Sequence, residues 1–355
     1  MRTSRGRSAK RLRATDGGNF HLVDGLIDTV DQIAAATGFC GVVRVDTDGA
    51  AVVAKAYGMA HRGYRVANHL DTQFGIASGT KGLTALTVVS LIEEGDLKLA
   101  TTVRSVLGSD LPLVDERATV GHLLEHRSGI GDYLDEDAGI DVNDYLTPVA
   151  VHELATTEQY LRVLDGREAK FAPGERFSYC NSGYVVLALI AERVSSTSFY
   201  ELVQQRICAP AGMHDTAFLR SDELPATAAV GYLNEATRSN VLHLPVRGSG
   251  DGGAYSTAAD IHAMWQAFFA GQVVSPEWVA EMIRPHSDDP SKRRRYGLGF
   301  WLSEASDAVI LEGYDAGVSF RTVHDPVRRL TYTVLSNTSN GAWPIARRLA
   351  ELVET

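Results

Sequence analysis

Apolar residues alternate with polar ones near both ends of this chain and take up a helical spacing between them. Residues 39–57 hold two β-rich runs, FCGVVRVD and AVVAKAYG, joined by Asp48-Gly49, a turn signal suited to a hairpin. Residues 78–94, SGTKGLTALTVVSLIEE, read as a helix. Its apolar side chains (Leu83, Leu86, Val88, Val89, Leu91 and Ile92) wrap most of the circumference, the pattern of a buried helix, and Gly95 closes it. Residues 100–245 read as mostly helical pieces separated by Gly, Pro and Asp clusters. Thr257-Ala-Ala-Asp260 opens a helix through Phe269; Ser275-Pro276 opens another that Pro285 stops. Four β-rich runs follow, Gly297–Leu302, Ala308–Leu311, Val318–Val323 and Leu330–Ser336, and then an amphipathic helix, Pro344–Val353. The expected fold is therefore α/β (α+β). Residues 21–75 and 250–355 make a sheet lobe from both chain ends, with a mainly helical lobe, 76–249, inserted. A site is expected in the cleft between the lobes.

Composition narrows the classes. The 355 residues are 45% hydrophobic and 22% charged, which is ordinary globular usage and excludes a disordered, fibrous or coiled-coil chain. Net charge is −10, which argues against nucleic acid as a partner. The charge is uneven. Residues 1–20 hold six basic groups and one acid, +5, so residues 21–355 carry −15; the expectation is a disordered basic tail. No apolar run approaches the ~18 residues of a membrane span, and no apolar stretch after the basic residues suggests a secretory signal. Three widely spaced cysteines (Cys40, Cys180 and Cys208) suggest neither a disulfide framework nor a zinc ribbon, and fit a reducing cytoplasm.

Two short motifs could carry chemistry. Ser78 and Lys81 stand three apart at a helix start, on one face and close enough to meet. A serine hydroxyl is a poor nucleophile without a base, and a lysine serves if burial or nearby charge lowers its pKa. A lysine embedded in an apolar helix needs a role or a partner. The free N–H groups of the helix start can stabilise an oxyanion. The second motif is Tyr179-Cys-Asn181. A tyrosine acts as a base only if a cation depresses its pKa from ~10, and Lys81 would be that cation.

Together these residues resemble the serine β-lactamase and penicillin-binding-protein-like hydrolases. The likeness is to the branch holding class C β-lactamases, D,D-carboxypeptidases, D-aminopeptidases and β-lactamase-fold esterases. It runs from about residue 25 to the C-terminus through FGIASGTKGLTALTVVSLIEEGDLKL, TVGHLLEHRSGIGDY, FAPGERFSYCNSGYVVLALIAE, GSGDGGAYSTAADIHAM and EGYDAGVSF. The resemblance implies a β-lactamase-like fold and acyl-enzyme chemistry on a small ester, amide or short peptide, with no cofactor. It implies Ser78 as the acylated nucleophile and Lys81 as its proton acceptor or tuner. Tyr179 would be a base in acylation and deacylation, and Asn181 would hold Lys81 and the substrate's acyl side chain. The third family element departs from its usual Lys-Thr-Gly or His-x-Gly. Anchored on Gly317 it reads Leu311-Glu312-Gly313, with leucine or, one residue along, glutamate where a cation is common. This implies a site that repels carboxylates and disfavours β-lactams and D-Ala-D-Ala peptides, leaving a carboxylesterase-like or peptidase-like activity. Leu311, Glu312, Gly313 and Tyr314 would line the substrate site, with oxyanion contacts from the backbone N–H groups of Ser78 and Tyr314.

Rival readings are weaker. His122-Leu-Leu-Glu125-His126 fits the zinc motif H-x-x-E-H, but the segment is short and no third ligand is marked, so no metal is expected and His126 reads as a bracing histidine. Gly248-Ser-Gly250-Asp-Gly252-Gly253 fits G-x-G-x-x-G without the preceding strand a dinucleotide fold needs, and reads as a tight loop. Lys292-Arg-Arg-Arg295 reads as a solvated loop. A D,D-carboxypeptidase or β-lactamase proper and a catalytically silent binding module are the remaining alternatives.

Overall fold

A computed structural model describes residues 18–353 apart from 140, 234–237 and 290–293, with backbone alone at 18–24 and 352–353. The basic residues of the expected tail lie outside the described residues. An N-terminal helix, Gly18–Thr37, leads into the hairpin β1 (Gly41–Thr47) and β2 (Ala50–Tyr57). Asp48 and Gly49 both take positive φ at its turn, as the dipeptide predicts. Two small ladders follow, β3 (Met59–His61) with β4 (Val66–Ala67), and β5 (Phe74–Gly75) with β6 (Tyr255–Ser256).

The returning strands are β7 (Ser287–Asp289), β8 (Arg294–Tyr296), β9 (Trp301–Ser303), β10 (Val309–Asp315), β11 (Val318–Asp325) and β12 (Leu330–Ser336). They join β1 and β2 in one antiparallel sheet of order β2-β1-β12-β11-β10-β9-β8-β7. The two chain ends meet at the β1–β12 pair, where Gly41 lies opposite Ser336.

Alternation along each strand divides the core into two layers. Val43, Val45, Tyr332 and Val334 pack against the N-terminal helix and the C-terminal helix, Ala342–Val353. Val42, Phe320, Leu311 and Leu335 face the opposite way, into a larger core. That core holds the helices Thr80–Glu94 and Asn181–Ser195, whose residues Thr80–Leu91 and Asn181–Ala191 are all buried. With helices on both faces, every residue of β12 is buried.

Several local expectations need correction. Gly297–Phe300 is the connection between β8 and β9 rather than strand, and β10 runs on to Asp315. Arg294 and Arg295 belong to β8 rather than to a solvated loop. Among the described residues, 125–180 hold only short 3₁₀ turns and the four-residue helix Leu161–Leu164. The stretch 213–254 has no helix among its described residues. Side chains in the first of these segments bond nearby backbone instead; Asp132 Oδ1, for example, accepts the Leu134 N–H and Asp141 Oδ1 the Asn143 N–H. No helix among the described residues is long and apolar enough to cross a membrane. All three cysteines are free and buried.

Candidate active site

The site begins at a strained turn. Ala77 holds φ 43°, uncommon for a residue with a Cβ, within the 3₁₀ turn Ala77–Gly79 that precedes the helix Thr80–Glu94. Strand β10 crosses this turn so closely that a Cβ on Gly313 would sit 2.1 Å from the Ile76 carbonyl oxygen and 2.9 Å from the Ser78 nitrogen. Glycine is therefore required where β10 passes the serine. Ser78 itself stays partly exposed and lines two adjoining cavities.

Lys81 lies one helical turn on, 1% exposed. Its Nζ is 3.0 Å from Ser78 Oγ, 2.8 Å from Asn181 Oδ1 and 2.8 Å from the Asp251 carbonyl oxygen. Burial lowers its pKa from the ordinary lysine value; Asp251, Glu136 and Asp132 pull the other way. The amine can serve in either protonation state. As an ammonium it donates all three hydrogens. As an amine it donates two to the carbonyl oxygens and turns its lone pair to the serine hydroxyl.

Each partner of Lys81 is itself held. The Asn181 amide donates to the Leu134 carbonyl at 2.8 Å and lies 3.4 Å from Glu136 Oε1. Asp132 accepts from the backbone N–H groups of Asn181 and Ser182 at 2.8 and 2.9 Å, satisfying the first donors of the Asn181 helix. The glycine run carries Asp251 inward. A Cβ on Gly250 would sit 2.1 Å from the Tyr184 carbonyl oxygen, so the loop wedges between the two buried helices. There Thr84 donates to the Gly250 carbonyl at 2.6 Å, and the Tyr133 hydroxyl donates to Asp251 Oδ2 at 2.6 Å. The tight-loop reading holds for its backbone but misses this function. Asp132, Tyr133 and Asp251 were visible only as members of quoted stretches, because nothing local marks a carbonyl or carboxylate as a partner of a lysine 170 residues away.

Tyr179 is partly buried, with its ring 4.3 Å from that of His126 and stacked at 5.9 Å on Trp301. A hydrogen bond links its hydroxyl to Ser78. Lys81 Nζ lies 4.9 Å from the ring centre. Burial pushes the Tyr179 pKa up, with Glu136 adding to the rise and the Ser78 hydrogen bond opposing it; this runs against the depression expected from Lys81. Lys81 and Tyr179 both hydrogen-bond Ser78.

His126, φ 56°, accepts from the Cys180 N–H through Nδ1 at 3.0 Å, the bracing role the sequence suggests. The His122 ring accepts from the Thr119 N–H in a helix-capping box. Glu125 pairs with His286 at 3.1 Å. The three zinc-motif side chains are thus committed to three different partners, and no group of three metal-ligating residues occurs among the described residues.

The third motif is brought to the site unevenly. Gly313, Glu312 and Tyr314 line the cavity on the Tyr179 side. Leu311 is 3% exposed and packs on Gly82 of the serine helix, so it does not line the cleft. The missing positive charge also needs correction. Arg294 of β8 bonds Glu312 directly, and Arg321 of β11 lies 3.7 Å from its other oxygen. Cations reach the region from neighbouring strands, which the linear motif cannot show.

The cavity on the Tyr179 side is about 420 Å³, and its wall adds Trp301, Trp343 and Arg347. The cavity on the Asn181 side is about 240 Å³ and holds Glu136, Asp251 and Asp315. Glu136 borders both.

The family model described as Beta-lactamase matches residues 26–354. The fold is similar to that of a penicillin-binding protein from Bacillus halodurans, with a TM-score of 0.84 and 31% identity over 91% of this chain and 99% of that one. The sequence is 28% identical to a Bacillus subtilis protein named penicillin-binding protein PbpX, over 76% of this chain and 63% of that protein. It is 28% identical to a D-aminopeptidase of Brucella anthropi, over 88% of this chain and 58% of that protein. The chain thus spans about three fifths of the length of these two curated relatives.

Proposed function

The chain belongs to the beta-lactamase family, and from that premise we propose that it is a serine hydrolase that cleaves a small ester or amide through an acyl-enzyme on Ser78. The observation that carries this reading is the threefold placement of Lys81 Nζ against Ser78, Asn181 and the Asp251 carbonyl. Family kinship to a D-aminopeptidase supports an amide or ester substrate over a purely binding role.

In the neutral state Lys81 gives two N–H bonds to the carbonyl oxygens and receives the Ser78 proton as Oγ attacks the substrate carbonyl. The ammonium so formed has a third hydrogen for the seryl oxygen. The oxyanion is held by the Ser78 and Tyr314 backbone N–H groups, where Gly313 lets β10 approach. Collapse of the tetrahedral adduct breaks the bond to the leaving group, which takes the phenolic proton of Tyr179. Lys81 returns its proton to Tyr179, regenerating phenol and amine. A water then attacks the acyl-enzyme. Its proton passes to Lys81 and on to Ser78 Oγ as the acid is released.

The test is intact-mass detection of a fluorophosphonate adduct, with rates on p-nitrophenyl esters, amino-acid amides and nitrocefin. Ser78→Ala should lose the adduct and reduce turnover by about 10⁴-fold or more. Retention of more than a few per cent of activity by that variant overturns the reading; so does loss of activity on chelation.

A further inference from the structure

The two cavities beside Ser78 are not interchangeable, and this decides which half of a substrate each can take. On the acyl-enzyme reading above, Tyr179 hands its proton to the departing group. Tyr179 lines only the larger cavity, and Asn181 lines only the smaller. The leaving half therefore departs on the Tyr179 side, and the acyl half stays on the Asn181 side.

The smaller cavity is acidic. Glu136, Asp251 and Asp315 line it, and among the described residues no Lys, Arg or His stands in its wall. None of these three carboxylates has an ion-pair partner among the described residues. Asp251 is taken up by the Tyr133 hydroxyl, Asp315 accepts the Ala316 N–H at 2.8 Å, and Glu136 is 3.4 Å from the Asn181 amide. Lys81 sits behind the wall; its three bonds go to Ser78, Asn181 Oδ1 and the Asp251 carbonyl rather than to a carboxylate, and its charge acts on Asp251 and Asp315 from there. Elsewhere comparable acids are neutralised at close range, as Glu312 is by Arg294. The remaining wall is apolar, including Leu134, Val142, Leu219 and Val246.

The covalent geometry of an amino acid adds the placement. An α-nitrogen lies about 2.5 Å from its own carbonyl carbon, so once that carbon reaches Ser78 the nitrogen must fall at the inner end of this same cavity. We propose that the Asn181-side cavity is an ammonium subsite, with Glu136, Asp251 and Asp315 selecting acyl groups that carry a free α-amine and a small apolar side chain. An N-acylated or carboxylate-bearing acyl half loses this attraction or is repelled. Burial supports the same direction. The Asp315 carboxyl is pushed up to about 7, with Asp251 and Glu136 adding to the rise, and a bound cation relieves that crowding.

The experiment compares alanine p-nitroanilide with its N-acetyl derivative on the intact protein, beside fluorophosphonate labelling of Ser78. The free amine should be preferred by at least about tenfold in kcat/KM, the effect of one charge pair in a partly desolvated site. In Asp315→Asn and Glu136→Gln the ratio of the two rates should fall towards unity. Calorimetric binding of phenethylamine against phenethyl alcohol on the wild type tests the same preference without turnover or a variant. A wild type that is labelled at Ser78 but favours the acetylated substrate, or binds the alcohol as well as the amine, overturns the ammonium subsite alone. A wild type that is neither labelled nor active on any ester overturns the acyl-enzyme reading instead, and amine binding then still judges the subsite.

Discussion

The two sides of Ser78 differ in how their charge is balanced: on one the acids stand beside arginines, and on the other three acids stand without an arginine. The Tyr179 side brings Arg321 and Arg347 to its wall, with Arg294 tied to Glu312 behind them. The Asn181 side brings three carboxylates and no cation. The charge of each wall is assembled differently. Arg294, Glu312 and Arg321 stand on three different strands of one sheet, β8, β10 and β11, and meet across it. Asp251 stands on a coil segment held by Thr84 of the helix Thr80–Glu94, and Glu136 opens a 3₁₀ turn beside the Asn181 amide. Such a cleft does more than hold a carbonyl against a serine. On the proposed reading it would orient a cationic substrate, since reversing the substrate end for end takes its positive group away from the acids that have no arginine beside them.

The largest expected effect breaks or confirms the assignment of sides. If the leaving group departs on the Tyr179 side with a phenolic proton, Tyr179→Phe should slow anilide and amide cleavage by about 10²–10⁴. p-Nitrophenyl esters, whose leaving group needs no proton, should suffer far less. Equal losses on both would detach Tyr179 from the leaving group. The acid limb of the kcat/KM–pH profile should persist in the Phe variant, because it belongs to Lys81, whose pKa burial lowers; its disappearance would return the base to the tyrosine.

A smaller effect sharpens the contrast of charge. Arg321→Gln should lower kcat/KM for substrates with a carboxylate on the leaving half by roughly fivefold to tenfold relative to their neutral amides. The difference should shrink as salt rises from about 0.05 M to about 0.5 M. An unchanged acid-to-amide ratio would show that the arginines only neutralise Glu312.

The third test uses pH. Asp315 must ionise to attract an ammonium, so the preference for free-amine substrates should grow as pH rises through about 7. It should fall again as the amine loses its own proton near about 8. Linkage gives the matching stability sign. A carboxyl raised in the folded state stabilises fully below its unfolded pKa, and that contribution is lost as pH rises through the folded value. Thermal melts of Asp315→Asn should therefore gain on the wild type between about pH 5 and about pH 8. A pH-independent difference would mean that Asp315 does not titrate in this range.

Much of the molecule was legible from spacing and turn chemistry. The hairpin at Asp48-Gly49, the all-round apolar helix after Ser78, the caps at Thr257 and Ser275 and the C-terminal amphipathic helix all stand where their residues predict. Those signals are local: each rests on residues within a turn or two of one another. The Ser78–Lys81 pair was legible for the same reason, being one helical turn apart. The errors have the opposite character. Leu311 looked like a wall of the cleft, but the pleat of β10 turns it onto Gly82. For Tyr179 the sequence offers only the nearby cation Lys81, whereas the structure adds enclosure by His126 and Trp301, which pushes its pKa the other way.

By itself, then, the sequence determined the sheet built from both chain ends, the buried serine helix and the pairing of Ser78 with Lys81. These depend on periodicity and on contacts between near neighbours. Only the tertiary structure decided the electrostatics. The sheet register brings Arg294 and Arg321 to Glu312, and the glycine run carries Asp251 to Lys81. Burial of each titratable group sets its proton affinity. Charge acts through space and through the dielectric around it, and neither is written in the order of residues along the chain.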